Sequence, residues 1–233
     1  MPITRRQLVV LGRWPAPGRC KRRLAASIGS RIRAAAVQRQ LTDHTLAVAA
    51  QAAACCSAQL SLAVDGLGPR ASRRWQQQLQ ASSGCPNLQV VPQGSGNLGC
   101  RMHSQLRRCF AAGTEQVVLI GTDLPGLEPG DLEEAFLQLN QAPLVLGPAL
   151  DGGYWLIGFN RAGFLEGSRR LMSGIDWGSD QVLQQSLKQA AQLALPVALL
   201  RQQSDLDTAA GLSPWLMRRR NTFCSDGAAM IGV

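Results

Sequence analysis

Apolar runs of strand length alternate with segments of helical periodicity along most of the chain. Short apolar runs bounded by turn residues predict buried strands, whereas apolar residues that recur three or four positions apart predict helices. Strands are predicted at Gln7–Leu11, Gln59–Val64, Leu88–Val91, Gln116–Ile120, Pro143–Leu146, Tyr154–Phe159 and Val197–Leu200. Helices are predicted at Arg31–Cys56, Ser72–Gln80, Leu98–Ala112, Asp131–Asn140 and Asp180–Ala194.

The order of these elements predicts an α/β fold in three layers (α/β/α), with helices on both faces of a mainly parallel, mixed sheet. The length of 233 residues suits one large domain, which we place at residues 1–217. Residues 218–233 have no periodicity, so we predict a flexible tail there. The chain has no run of about 18 apolar residues, and we therefore expect no membrane span.

Cysteine content and charge narrow the classes of function. The seven cysteines are irregularly spaced and form no C-x-x-C pair, which disfavours both a zinc site and a disulfide scaffold. We therefore expect reduced thiols in a cytoplasmic protein. The net charge of +9 is carried mainly by arginine and fits phosphorylated small molecules, nucleic acid or an anionic membrane surface. Interleaved aromatic residues are missing, which disfavours a nucleic-acid partner.

A Gly- and Pro-rich loop, Gly12–Leu24, follows the first predicted strand and precedes a helix. It contains the cations Arg19, Lys21, Arg22 and Arg23. Such a turn places backbone N–H groups and cations beside an anion, so it predicts a site for phosphates. The pattern is neither a P-loop nor G-x-G-x-x-G, and a solvated basic turn is the alternative interpretation.

Acidic residues follow two of the predicted strands. Asp123 follows Gln116–Ile120, and Asp205 and Asp207 follow the last strand. Ligands of open α/β sheets sit at the carboxyl ends of strands, where a carboxylate can hold Mg²⁺ against the oxygens of a diphosphate. Asp205 and Asp207 are two positions apart and point the same way in an extended chain. The alternatives are that Asp123 caps a turn and that Asp207 or Thr208 caps a helix.

Asp151, Gly152 and Gly153 lie between two predicted strands. They predict a hairpin turn, and they also suit a loop that brings backbone close to a ligand. In the second interpretation Asp151 offers an acceptor, and Tyr154 or Trp155 forms a wall of the site. The two interpretations are compatible.

Taken in order, five segments resemble a bacterial family of glycosyltransferases with the nucleotide-diphospho-sugar transferase (GT-A) fold. That family is related to phospholactate guanylyltransferase and to molybdenum-cofactor guanylyltransferases, and some members are linked to arsenosugar biosynthesis. The resemblance spans residues 7–215. The segments that carry it are Pro17–Leu24, Gly99–Met102, Gly121–Gly126, Gly147–Tyr154 and Asp205–Thr208.

The resemblance implies a role for each matching residue. Lys21 contacts a donor phosphate, Asp123 holds Mg²⁺ or Mn²⁺, and Asp207, with Asp205, completes the metal site. Asp151 lines the acceptor or nucleoside pocket. The candidates for binding the nucleotide and its phosphates are Pro17, Gly18, Arg19, Lys21, Arg23, Arg101, Gly121, Thr122, Gly152 and Gly153.

The chain departs from the family pattern at two positions. The family usually has Thr where this chain has Arg22, which removes a hydroxyl contact to phosphate or metal. It usually has Asp where this chain has Asn97, and the loss would slow or alter catalysis if that acid acts in the reaction.

Two enzymatic hypotheses use the same residues. In the first, a glycosyltransferase moves a sugar from a nucleotide-sugar donor to a small-molecule acceptor, with Asp123 on the metal and Asp151 orienting or deprotonating the acceptor hydroxyl. In the alternative, a guanylyltransferase-like nucleotidyltransferase activates a phosphorylated small molecule with a nucleoside triphosphate, and Lys21 acts in the chemical step. A third alternative is a nucleic-acid-binding module on an inactive transferase fold.

Overall fold

The computed structural model describes residues 5–82, 85–209, 211–212 and 215. The strands are β1 (Arg6–Arg13), β2 (Ala58–Asp65), β3 (Gln89–Pro92), β4 (Gln116–Ile120), β5 (Leu144–Pro148), β6 (Tyr154–Asn160) and β7 (Val197–Leu199). The helices are α1 (Arg22–Ser27), α2 (Arg31–Cys55), α3 (Pro69–Ser82), α4 (Leu98–Ala111), α5 (Pro129–Gln138), α6 (Arg161–Leu171) and α7 (Val182–Gln192). The predicted tail at 218–233 lies outside the described residues.

These seven strands form one sheet in the order β3-β2-β1-β4-β6-β5-β7. Among them, β6 alone runs against its neighbours, pairing antiparallel with both β4 and β5. The prediction of a mainly parallel, mixed sheet is therefore confirmed.

Apolar side chains cover both faces of this sheet. Along β1, Leu8 and Val10 belong to the core on the α2 and α5 face, whereas Val9 belongs to the core on the α4 and α6 face. This alternation is what a strand buried on both sides requires. The three-layer prediction is confirmed, and all five residues of β4 are buried at the centre.

Two helices are missing from the predicted set. The buried face of α6 consists largely of Gly163, Gly167 and Ser168, so hydrophobic periodicity does not mark it. A side chain at Gly163 would collide with the carbonyl of Pro143, which explains why this helix packs through glycine. Helix α1 has six residues and buries only Leu24. One buried residue gives no periodicity from which a helix could be predicted.

The Asp151–Gly153 segment forms the turn between β5 and β6, as predicted. Gly152 has a φ of 87°, and a Cβ there would collide with the backbone of Asp180. Asp151 Oδ1 accepts a hydrogen bond from the Gly153 N–H at 3.0 Å, which closes the turn.

None of the helices in the described ranges is both long and apolar enough to cross a membrane. Six cysteines lie in the same ranges, and all of them are free thiols.

Close packing at Gly147 predicts a stability effect. A Cβ at this position of β5 would collide with the buried indole of Trp155. We expect Gly147→Ala to lower the free energy of unfolding by about 1–3 kcal/mol, measured by urea denaturation.

The matched control is Gly130→Ala in α5, where an added Cβ meets nothing within 4 Å. This change should raise the free energy of unfolding by about 0.5 kcal/mol, because alanine restricts the unfolded chain and favours helix. Equal effects of the two substitutions would contradict the packing argument.

Candidate active site

The carboxyl ends of β1 and β4 open onto a cavity of about 600 Å³, here called the central cavity. Because these strands are parallel neighbours, the loops that follow them meet at one edge of the sheet. The polar and aromatic lining includes Arg13, Lys21, Arg22, Arg23, Gln38, Gln93, Asn97, Arg101, Thr122, Asp123, Tyr154, Trp155 and Asp207.

Lys21 lies at the floor of this cavity, in the loop after β1. Its backbone is in the left-handed region, with φ 47° and ψ 48°, and it immediately precedes α1. The neighbouring Cys20 and Leu24 are buried and fix the loop on either side. The Lys21 side chain is itself only 2% exposed, so its ammonium group needs close partners.

Two carboxylates and one carbonyl surround the Lys21 ammonium group. Nζ lies 2.8 Å from Asp123 Oδ1 and 3.0 Å from Asp207 Oδ1, and it donates to the Leu206 carbonyl at 2.7 Å. Burial acts to lower the pKa of Lys21, but the charges and hydrogen bonds of Asp123 and Asp207 outweigh it, and the pKa is raised. The lysine therefore stays charged.

The structure thus brings Lys21, Asp123 and Asp207 together from three distant parts of the chain. The Leu206 N–H donates to the Asp123 carbonyl at 2.9 Å, which docks the last segment beside the loop after β4. The side chains of Asp123 and Asp207 remain 43% and 41% exposed, so both face the cavity as well as the lysine.

Asp205 is partly buried beside this group without lining the cavity. Its pKa is raised to about 7, first by burial and then by repulsion from Asp123, Asp151 and Asp207, while Lys21 acts in the opposite direction. Within the described ranges, no three His, Cys, Asp or Glu side chains converge into a metal site of their own.

Arg101 is fixed at the cavity wall by residues that the sequence analysis did not single out. Its Nη1 donates to Asp65 Oδ2 at 2.9 Å and its Nε to the Gly96 carbonyl at 3.0 Å. Asp65 ends β2 and also lies 3.8 Å from Arg13 Nε. The rule that sites form at the carboxyl ends of strands could have identified Asp65.

Two glutamines fix the floor of the cavity from below. Gln38 donates to Thr122 Oγ1 at 2.9 Å, and the Gln93 amide donates to the backbone carbonyls of Gly12 and Ala63. Both glutamines are buried, and no sequence pattern marks them because they act on the site through its backbone and a hydroxyl.

The two departures from the family pattern both line the cavity. Asn97 is the N-cap of α4, and its Oδ1 accepts from the Cys100 N–H at 2.9 Å, a role that Asp would fill equally well. Arg22 is exposed beside Arg23, which lies 3.9 Å from Asp207 Oδ2.

Several predicted site residues lie away from the central cavity. Pro17, Gly18 and Arg19 are exposed on the outer side of the first loop, and Gly18 borders a separate hollow of about 490 Å³. The Asp151–Gly153 turn also lies outside the lining. Gly121, in contrast, lines the cavity at the end of β4.

The raised pKa of Asp205 predicts a pH effect on stability. The folded protein keeps a proton that the unfolded chain releases between about pH 4 and pH 7, so stability falls as the pH rises through that window. We expect Asp205→Asn to raise Tm at pH 8 and to change it little at pH 4, measured by calorimetry with a chelator present.

The control is Asp180→Asn, which changes an exposed carboxylate. A Tm difference between wild type and Asp205→Asn that stays constant from pH 4 to pH 8 would contradict the burial and repulsion at Asp205.

Solved structures share this fold. A "putative nucleotide-diphospho-sugar transferase" from Desulfovibrio desulfuricans G20 is 27% identical with a TM-score of 0.74, covering 88% of this chain and 83% of that one. CMP:2-keto-3-deoxy-manno-octonic acid synthetase complexed with CTP is 12% identical with a TM-score of 0.57, covering 94% and 100%. Rv0371C complexed with manganese, from Mycobacterium tuberculosis H37Rv, is 23% identical with a TM-score of 0.52, covering 92% and 99%.

The fold is therefore that of nucleotide-diphospho-sugar transferases, with a CTP-binding synthetase among its structural neighbours. No curated protein matches the chain. The predicted relation to phospholactate guanylyltransferase and the predicted link to arsenosugars stay predictions.

A family comparison covers the middle of the chain. The family described as "Uncharacterized protein conserved in bacteria (DUF2064)" matches residues 45–179, more than half of the 233. The match includes Asp123 and Asp151, while Lys21, Asp205 and Asp207 lie outside it. On this match, the chain belongs to the DUF2064 family of bacterial proteins.

Proposed function

We propose that this protein is a metal-dependent glycosyltransferase that uses a nucleotide-sugar donor. The observation that carries the proposal is the Lys21 ammonium group held between Asp123 and Asp207 at the floor of the central cavity. A buried cation beside two accessible carboxylates suits a diphosphate that binds together with a divalent metal. The 27% identical structure named as a nucleotide-diphospho-sugar transferase supports the same donor class.

The two carboxylates fit Mg²⁺ or Mn²⁺. Oxygens of Asp123 and Asp207 already share one cation, and both side chains keep about two-fifths of their surface exposed. Mg²⁺ usually takes one or two protein carboxylates and completes its shell with water and substrate phosphates, so a third protein ligand is not required. The manganese complex of a protein with this fold is consistent with this assignment. When bound, the metal would neutralise negative charge on the leaving diphosphate.

The remaining residues bind and orient the substrates. Lys21 keeps a positive charge behind the two carboxylates, close enough to stabilise the charge that develops on the diphosphate as the sugar leaves. Arg22 and Arg23 line the mouth of the cavity and attract the anionic donor. Arg101, fixed by Asp65, contacts the nucleoside. Asp151, in the β5–β6 turn beyond the cavity lining, orients the hydroxyl of an acceptor that extends out of the cavity.

Nucleotidyl transfer is the second candidate function. The buried Lys21 favours it, because a fixed ammonium group can also stabilise an α-phosphorus under attack. The synthetase that binds CTP shows that this fold accommodates a nucleoside triphosphate. In this reaction an acceptor phosphate attacks the α-phosphorus and pyrophosphate leaves. Of the arginines in the first loop, Arg13, Arg22 and Arg23 line the cavity, which favours a phosphate-bearing small molecule over a nucleic acid.

Nucleotide binding gives the first test of the proposed function. With Mn²⁺ present, we expect one of UDP, GDP, CDP, dTDP or ADP, or its sugar conjugate, to raise Tm through binding linkage. Asp123→Asn should abolish the metal-dependent part of this rise, because one of the two carboxylates is lost. The exposed Asp176→Asn is the matched control and should retain it.

The products then separate the two reactions. Release of a nucleoside diphosphate from the stabilising nucleotide sugar supports glycosyl transfer, whereas pyrophosphate release from a triphosphate supports nucleotidyl transfer. Neither product, together with no nucleotide-dependent rise in Tm, would refute both functions.

Lys21 should have opposite effects on metal binding and turnover. Its ammonium group lies within 3.0 Å of both carboxylates and repels a second cation there. We expect Lys21→Met to tighten Mn²⁺ binding about ten-fold, as a Coulomb estimate for a charge at this distance suggests. Electron paramagnetic resonance of free Mn²⁺ measures this affinity, and turnover of the donor should fall in the same variant.

Weaker Mn²⁺ binding in Lys21→Met would place the metal away from these two carboxylates. Arg22→Met, which removes a charge at the cavity mouth, is the control and should change the Mn²⁺ affinity much less.

A further inference from the structure

The buried carboxylate of Asp131 joins the loop after β4 to the segment after β7. Its side chain is 6% exposed and accepts four hydrogen bonds. Arg201 donates to both oxygens, through Nε to Oδ1 and through Nη2 to Oδ2 at 2.7 Å. Gln203 Nε2 and the Glu128 N–H donate to Oδ2 at 3.1 Å and 2.9 Å.

Arg201 also makes hydrogen bonds to the loop after β4 and to β6. Its Nη2 also donates to the Gly126 carbonyl at 3.1 Å, and its own carbonyl accepts from Trp155 Nε1 at 3.2 Å. The hydrogen bond to Asp131 is the main cause that raises the pKa of the Arg201 guanidinium. Bidentate contacts of this kind fix the relative orientation of both groups.

The two segments that Asp131 joins each carry one of the carboxylates of the central cavity. Gly126 is three residues beyond Asp123, and Gln203 is four residues before Asp207. The Gln203 backbone is held by Pro148 and Leu150 at 3.0 Å and 2.9 Å. Only four positions separate Gln203 from Asp207, so we expect a shift at Gln203 to reach the carboxylate of Asp207.

We infer that Asp131, acting through Arg201, is a positioning residue that sets the placement of the Asp207 carboxylate relative to Asp123. The inference rests on the proposed function for the role of these two carboxylates in holding a divalent metal. Removing residues that orient metal-ligating side chains typically lowers metal affinity by about 10–100-fold.

A purely local role for Asp131 makes a different prediction. Asp131 is the third residue of α5, where its contact with the Glu128 N–H caps the helix. Arg201→Gln leaves that cap in place and removes the bidentate contact, leaving only the hydrogen bond from Gln203, so it separates the two roles.

The experiment compares full-length wild type with Asp131→Asn, Arg201→Gln and Arg201→Lys. Hydrogen exchange followed by mass spectrometry measures protection of residues 203–207, and electron paramagnetic resonance measures Mn²⁺ affinity. We expect Asp131→Asn and Arg201→Gln each to lower the exchange protection of residues 203–207 and the Mn²⁺ affinity about ten-fold. Arg201→Lys, which keeps the charge and loses the bidentate contact, should be intermediate.

Arg161→Gln is the matched control. Arg161 also pairs with a carboxylate, Glu115 at 3.0 Å, and donates to the carbonyls of Phe110 and Thr114 at the opposite end of β4. It should cost stability without changing Mn²⁺ affinity or the exchange of residues 203–207.

Unchanged exchange and affinity in Arg201→Gln would overturn the inference, as would lost protection with unchanged Mn²⁺ affinity. If wild type binds no Mn²⁺, the metal part of the proposed function fails instead. In that case hydrogen exchange in Arg201→Gln is the only test of whether Asp131 positions the last segment. A loss of protection confined to residues 203–207 would support the positioning role. If Asp131→Asn does not fold, the two Arg201 variants carry the same test.

Discussion

One buried ammonium group connects the three segments that build the central cavity. Lys21 is almost fully removed from solvent, so its charge must be balanced at short range, and Asp123 and Asp207 provide that balance. The carbonyl of Leu206 completes the shell. Because these residues come from the beginning, middle and end of the described chain, a single charge holds the first loop, the loop after β4 and the last segment together.

A second polar centre lies at the base of the last segment, where Asp131 binds Arg201 and Gln203. Between the two centres, Leu206 is fully buried and packs with residues of α1 and α2. The segment after β7 has little regular structure of its own, so these contacts take the place of a helix or strand. The sheet depends on apolar burial, whereas the site depends on a few charged contacts between loops.

Sequence patterns predicted the sheet well because a buried strand requires a continuous run of apolar residues, and such a run is visible in the local sequence. β4 is buried along its whole length and was predicted with its observed bounds, Gln116–Ile120. α4 was predicted to within one residue of its observed end, because Met102, Leu106 and Cys109 recur at helical spacing. The same rule missed α6, whose glycines allow close backbone packing and leave no apolar stripe.

The sequence alone determined the α/β class, the succession of most elements, and the choice of Lys21, Asp123 and Asp207 as candidates. It placed charged residues after strands, and strand ends are where sites form. Only the tertiary structure decided which candidates meet. It put Asp151 and Arg19 outside the cavity lining and brought in Asp65, Gln93 and Arg201 as supports. The reason is that buried strands and helices leave a pattern of apolar residues among sequence neighbours. The ion pairs of the site join residues that are far apart in the sequence, and no local pattern gives the distances between them.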